Sequence, residues 1–268
     1  MTMIARKAVK YAAIGKITVR SHLAYVTDFL VRSLFLLIIL YIFSQLWGTT
    51  FAGEGSSTIA GYSFKQILWY LILTESMTMA FPSLASRMEE EVKSGDIGYK
   101  LTRPVSYLSF QYVSYLGEVY VRLLVNLAVA GLLGLLLLGP PSFGWGWAGF
   151  FAASIGAVTV NFMLTLILAL SSFWVEETRG LEFVYNKILF TIGGMLMPLE
   201  IYPETLQRVC GWLPFQTILY FPARTAVAFD GTVLVRMIGI QAAWIAGLGL
   251  AAAWVYARGG RKLHVNGG

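Results

Sequence analysis

The amino-acid sequence predicts an all-α integral membrane protein, and three observations carry that prediction. Hydrophobic residues fill 57% of the 268 positions, charged residues only 13%, and the mean hydropathy is +0.68. A soluble domain carries about 25% charged residues to cover its surface. The apolar residues also run in stretches of about 20, the length that crosses a hydrocarbon core of roughly 30 Å. No polar block is long enough for a nucleotide-binding or catalytic domain. Residues 1–268 therefore read as one transmembrane domain with six spans.

Residues 1–23 open the chain as an interfacial helix. Between 4 and 20, Ile4, Ala8, Tyr11, Ala12 and Val19 share one helical arc, while Arg6, Lys7, Lys10, Lys16 and Arg20 occupy the rest, as on a helix lying among anionic headgroups. No apolar core precedes Lys16, so a cleaved signal is not expected. Span one covers 25–47, and the Gly/Ser/Thr-rich 48–63 reads as a loop. Span two covers 64–86. The stretch 87–104, RMEEEVKSGDIGYKLTRP, is too polar to cross, and 87–112 reads as a cytoplasmic region between spans two and three. Span three, 113–138, ends at Gly139-Pro140-Pro141; span four covers 147–174, and 176–183 turns the chain. Span five, 184–198, is short and carries Gly193, Gly194 and Pro198. The aromatic, Pro-punctuated 199–231, with Pro203 and Pro214, is too apolar for a free loop and too broken for a span. It reads as short helices dipping back toward the membrane. Span six covers 233–257, before a polar tail.

Lys and Arg set the orientation. Arg6, Lys7, Lys10, Lys16, Arg20, Arg87, Lys93, Lys100, Arg103, Arg179, Lys187, Arg258, Arg261 and Lys262 fall on one side of this topology. Only Lys65, Arg208, Arg224 and Arg236 fall on the other. Both termini are expected in the cytoplasm. The net charge of +6 follows from that bias, and no nucleic-acid partner is inferred from it. Asp28–Arg32 and Glu118–Arg122 have the i,i+4 spacing of paired side chains. Glu75 differs: it sits midway along span two with no cation within a turn, at a cost that protein or water must offset. It reads either as a pathway residue or as a partner for a neighbouring helix. Asn161, Thr165 and Gln241 read as helix-packing residues, and Ala243, Gly247 and Ala251 have small-xxx-small spacing.

Some chemistry is not expected. There is no phosphate-cradling Gly-rich loop with Lys-Ser/Thr, no HExxH and no Gly-x-Ser-x-Gly. Cys210 stands alone, and His22 and His264 lie near span ends, which gives neither a metal site nor a catalytic set. Energy for transport would come from a partner or from an ion gradient.

The stretch Glu91-Val-Lys-Ser-Gly-Asp-Ile-Gly-Tyr-Lys-Leu-Thr-Arg-Pro104 resembles the ExxxGxIxxxLxRP signature of a bacterial branch of the ABC type-2 exporter permeases. Gly194-Met-Leu-Met-Pro198 with Leu213-Pro-Phe215 is similar to that family's Gly/Pro-marked re-entrant element. The resemblance covers nearly the whole chain. It implies a coupling helix between spans two and three that docks on a separate ATPase, with Glu90, Glu91, Lys93, Ser94, Gly95, Asp96, Lys100, Leu101, Arg103 and Pro104 as coupling residues. It implies a re-entrant extracytoplasmic element marked by Gly193, Gly194, Pro198, Pro203 and Pro214. ATP and magnesium would be held by a dimer of ATPase subunits, and this chain would hold no cofactor. A second six-span permease completes the path, in a heterodimer or a homodimer, in the bacterial inner membrane among its lipids. Spans one, two and five would line that path, with Glu75, Trp69, Tyr70, Met79 and Tyr41 as candidate pathway residues. The aromatic ones read equally as an interfacial belt. A second reading is a secondary transporter or channel with Glu75 as its proton or ion site. The inverted repeats that would favour it are not evident between 1–134 and 135–268.

Overall fold

The computed structural model describes residues 3–24, 26–102, 105–175 and 177–266, with side chains for 9–24, 30–31, 34–100, 102, 105–175 and 177–259. Its long helices are α1 (Met3–Ala24), α2 (Val26–Glu54), α3 (Phe64–Ala80), α6 (Tyr107–Leu138), α7 (Gly146–Leu170) and α11 (Gly231–Asn266). Between them lie the shorter α4 (Leu84–Lys93), α5 (Asp96–Leu101), α8 (Arg179–Ile192), α9 (Glu204–Gly211) and α10 (Tyr220–Val227). A two-residue hairpin, β1 (Thr58–Ile59) with β2 (Tyr62–Ser63), turns at Ala60 and Gly61, both at positive φ. That is the backbone which two-residue hairpin loops require.

Among the described residues five helical stretches are long and apolar enough to cross a membrane: Leu34–Glu54, Phe64–Lys93, Tyr107–Leu138, Gly146–Phe173 and Gly231–Gly259. The second contains α3 and α4, which Pro82 separates. Phe81 takes an extended conformation, as the residue before proline prefers. Two stretches are inner helices, α3 and α7, at 78% and 67% buried within the chain; the other three are 28% or less. The inner pair is bridged by α6 and α10. On one flank α2 packs on α3 and α6, and α1 lies along the first half of α6, where Gly117 faces Thr18 and Val19. On the other flank α11 packs on α7. There Gly156 admits the Gln241 amide, which donates to the carbonyls of Ala153 and Thr217 at 2.9 Å each. A polar side chain that finds two carbonyls in the interior selects the helix face that carries it inward.

The chain from 199 to 231 dips into the bundle and returns. Phe215 approaches Tyr185 of α8 to 6.0 Å between ring centroids, and the Tyr220 amide donates to the Gly193 carbonyl at 3.1 Å. From there α10 climbs until the Val227 carbonyl accepts from Gln66 in the first turn of α3 at 3.0 Å. Gln66 also closes the box that starts α3: Ser63 Oγ accepts from the Gln66 amide while Gln66 Oε1 accepts from the Ser63 amide.

Several boundaries differ from the sequence expectation. The segment 48–63 is not all loop, because α2 runs to Glu54 with Thr49 and Thr50 donating back to the Leu46 carbonyl. Residues 107–112 belong to α6, and the polar tail continues α11 as helix to Asn266. The expected fifth span is α8, whose 14 residues give about 21 Å of helix, short of a ~30 Å core. The stripe Ala243, Gly247, Ala251 faces out of the chain, since Gln241, Leu248 and Ala252 take the inner face of α11. In α1, Ala12 is exposed, and the inward stripe is Tyr11, Ile14, Gly15, Thr18, Val19 and His22. The side chains of the expected Asp28–Arg32 pair lie outside the described residues.

Candidate functional site

The charged stretch after α3 folds as an elbow. Five of the ten residues of α4 are charged, and a left-handed Gly95 (φ 79°) turns the chain into α5. Only glycine takes that conformation freely. The charges then sort by face. Glu89 and Glu91 turn inward, while Glu90, Lys93, Ser94, Gly95, Asp96, Gly98 and Tyr99 are exposed. Glu89 accepts from the Thr178 amide at 2.7 Å and its hydroxyl at 2.6 Å, and from Lys93 at 2.6 Å. Glu91 takes Lys100 of α5 at 2.6 Å, the Tyr107 hydroxyl at 2.7 Å and the Gln111 amide at 3.3 Å. Two of the expected coupling residues, Glu91 and Lys100, are therefore occupied inside the chain, where they hold the elbow's shape. Leu101 closes α5, its side chain outside the described set, and Arg103 and Pro104 lie outside the described residues.

About three turns into α6, Glu118 is 1% exposed and gathers three helices. It accepts from Arg87 of α4 at 2.6 Å and from Arg122 at 2.5 Å, and His22 Nε2 of α1 stands 3.5 Å away. Burial lowers the His22 pKa against the pull of Glu118, and Arg122 and Arg87 push it down as well. A carboxylate at this depth persists because two guanidinium groups compensate its lost hydration.

Beside the elbow, α3, α7 and α8 bound a cleft of about 560 Å³. Eight residues of α8 line it: Arg179, Glu182, Phe183, Asn186, Lys187 and Phe190, at the i, i+3, i+4 spacing of one helical stripe, with Tyr185 and Leu189 beside them. Phe81, Asn161, Thr165 and Met195 face that stripe. Glu182 accepts from Ser83 at 2.6 Å and Ser86 at 2.9 Å, which ties α8 to the start of α4. Lys187 holds its ammonium over Phe183, 5.3 Å from the ring centroid, and 5.9 Å from that of Phe190. At the inner end Asn161 joins three helices, its amide donating to the Tyr115 hydroxyl at 2.5 Å and its carbonyl accepting from Tyr185. Only Tyr185 and Leu189 of α8 are buried.

The candidate pathway residues are dispersed. Glu75 is 2% exposed in α3 and has no hydrogen-bond or ion-pair partner among the described residues. Trp69 is packed against Gly134 and edge-on to Phe143 at 5.7 Å. Tyr70 is fully buried and donates to the Gly194 carbonyl. Met79 is half-buried against the core, and Tyr41 is 62% exposed on α2. The re-entrant markers lie together. Gly193 follows α8, and Gly194 adopts φ 74° between Tyr220 and Tyr70. Pro198 precedes a single 3-10 turn, Leu199–Ile201. Pro203 and Pro214 each start a short helical piece.

Sequence reasoning missed the Glu89–Thr178 lock, the Arg87 and His22 contacts of Glu118, and Glu200, which accepts from Tyr220 at 2.6 Å. Each joins residues far apart in the chain. Only Ser83 and Ser86 at the start of α4 and Thr178 before α8 offer a local hint. A family model described as "ABC-2 family transporter protein" matches residues 29–267. Among curated proteins nothing matched.

Proposed function

Because the chain belongs to the ABC-2 transporter family, we propose that it is the permease of an ATP-driven exporter in the bacterial cytoplasmic membrane. It works with separate ATPase subunits, which hold ATP and magnesium, and with a second six-span permease. The observation that carries the reading is the two-faced elbow of α4 and α5. Its inner charges are spent on α6 and α8, while Glu90, Lys93, Ser94, Asp96 and Tyr99 stand outward around Gly95. An exposed polar tip on a rigidly anchored helix suits a reversible protein interface that must transmit force. The chain's own sequence has no phosphate-cradling loop, so the force has to be supplied from outside.

In this reading the elbow end is cytoplasmic, with both termini, as the Lys/Arg bias requires. α8 and the segment to Pro198 make the fifth crossing, and 199–231 is the re-entrant extracytoplasmic element. The exposed face of α2 and, on α8, the exposed Leu181, Val184 and Ile188 outside the cleft meet the second permease: Gln45 is exposed midway along Leu34–Glu54, where lipid is a poor neighbour for an amide. A heterodimer remains our choice over a homodimer. The second reading, a gradient-driven carrier, is favoured by one observation, the buried and unpartnered Glu75.

Co-purification separates the two. An ATPase expressed with the permease should be retained by the native chain and lost with Asp96→Arg or Gly95→Trp, with the permease still monodisperse. Retention after both substitutions sinks the docking surface, and failure of any ATPase to associate with the native chain favours the carrier.

A further inference from the structure

The cleft between α3, α7 and α8 has chemistry that the elbow does not explain. A helix that faces lipid carries apolar residues, yet the cleft-lining stripe of α8 carries Arg179, Asn186 and Lys187 interleaved with Phe183 and Phe190. Both cations are exposed on the helix surface and border the cleft rather than a packed neighbour. The two cations are eight residues apart. Lys187 does not point away from Arg179, because its ammonium lies over Phe183, which is one turn from Arg179 on the same stripe. That geometry concentrates positive charge near the outer part of the cleft. The acid in the cleft, Glu182, is turned to Ser83 and Ser86 and accepts a hydroxyl on each oxygen. Further in, the lining becomes apolar with Phe81, Phe190 and Met195, and ends on the hydrogen-bonded Asn161. About 560 Å³ lies within the range of roughly 300–1,000 Å³ for sites that enclose small molecules.

We propose that this cleft binds an amphiphile with an anionic headgroup, drawn from the membrane leaflet at the elbow end. The headgroup lies between Arg179 and Lys187, with Phe183 beneath it, and its apolar chain enters along Phe190, Phe81 and Met195. A free anion would leave the aromatic lining unused, and a neutral amphiphile would make no use of Arg179 and Lys187. The inference deepens the permease reading by naming the class of molecule its path takes, and rests on that reading for the step from binding to transport.

The test uses the full chain, with its ATPase, in phosphatidylcholine nanodiscs. A phosphatidylglycerol probe carrying a diazirine in one acyl chain is photolysed, and the adducts are mapped by peptide. Adducts are expected in 179–195 and around Phe81, suppressed by excess phosphatidylglycerol and unaffected by glycerol phosphate. The R179Q/K187Q variant should lose about ten-fold in labelling, the scale two cations produce against an anionic headgroup. Lys187→Arg should retain it, which guards against a mere folding defect. Equal labelling by a phosphatidylcholine probe with the same chain overturns the headgroup assignment, as does unchanged labelling of R179Q/K187Q. Competition by glycerol phosphate overturns the requirement for an apolar chain. Retained ATPase with absent labelling removes this inference alone, whereas an absent ATPase removes the permease reading whatever the labelling.

Discussion

Glutamates 89, 91, 118 and 182 all lie at the elbow end, and their partners decide what each one does. Glu118 is the most buried and is shared by Arg87 and Arg122, so it fixes α4 to α6 from inside. Glu89 and Glu182 face the opposite way and fix α4 to the start of α8. Removing one partner from a buried ionic group is costly chiefly because the other charges stay behind without compensation. Glu118→Gln leaves two guanidinium groups around a neutral amide. Arg87, which is 38% exposed, can turn to water, whereas Arg122 at 18% cannot do so as freely. We therefore expect a loss of about 3 kcal/mol, the lower end for a broken buried pair. In a chain of this size that lowers the melting midpoint by roughly 6–12 °C. Thermal unfolding in detergent, followed by circular dichroism, checks this. A midpoint within about 2 °C of the native chain, less than 1 kcal/mol would cause, would show that the cluster is decoration.

At the scale of elements, the break between α8 and the 3-10 turn at Leu199–Ile201 is set by Gly194. A methyl group there meets Tyr220 Cβ at 2.8 Å and the Tyr70 hydroxyl at 3.0 Å, on a backbone at φ 74°. The same loop holds the carbonyls that Tyr70 and Thr74 of α3 use. Gly194→Ala should therefore cost about 2–4 kcal/mol from strain and lost contacts together. It should also raise amide exchange in 193–202 well before that in α3. Uniform exchange across both segments would contradict a local role for the loop. This loop also marks what the sequence disclosed. Gly193, Gly194 and Pro198 announce a break, and the apolar runs announce six spans, five of which are helical stretches long and apolar enough to cross among the described residues, because both are local signals. The face each helix turns inward was not legible. Ala243, Gly247 and Ala251 look like a contact stripe, yet the Gln241 amide finds the carbonyls of Ala153 and Thr217 and rotates that stripe outward. The charged run 87–104 was read as one coupling surface. The structure divides it, since Tyr107 and Gln111, which capture Glu91, lie past the end of the run.

At the scale of the whole molecule, α8 is tied at both ends and thinly packed between. Its start is held to α4 through Thr178 and Glu182. Its far end is held through the Gly193 and Gly194 carbonyls to Tyr220 and Tyr70, and through Tyr202, whose hydroxyl donates to Thr191 at 2.7 Å. Between these clamps most of its residues are exposed. A helix so mounted follows whatever moves α4. On the permease reading, closure of the ATPases on the elbow is relayed to α8 and changes the width of the cleft. A ligand can shift such an equilibrium only by the difference in its affinity for the two states, so the nucleotide, bound elsewhere, has to act through this linkage. Asn186 reports the change, because it lines the cleft and is exposed. The native thiol, Cys210, is fully buried and gives a low background. Asn186→Cys should react with a membrane-impermeant maleimide from the elbow side in the nucleotide-free complex. With the ATPases locked by a non-hydrolysable ATP analogue, the rate should change by about five-fold or more, since a shift of roughly 1 kcal/mol between two states gives that factor. As a control, Arg208→Cys, on the exposed face of α9, should react from the opposite side at one rate in both states. An Asn186→Cys rate that ignores nucleotide would break the link from elbow to cleft, even with the ATPase still bound.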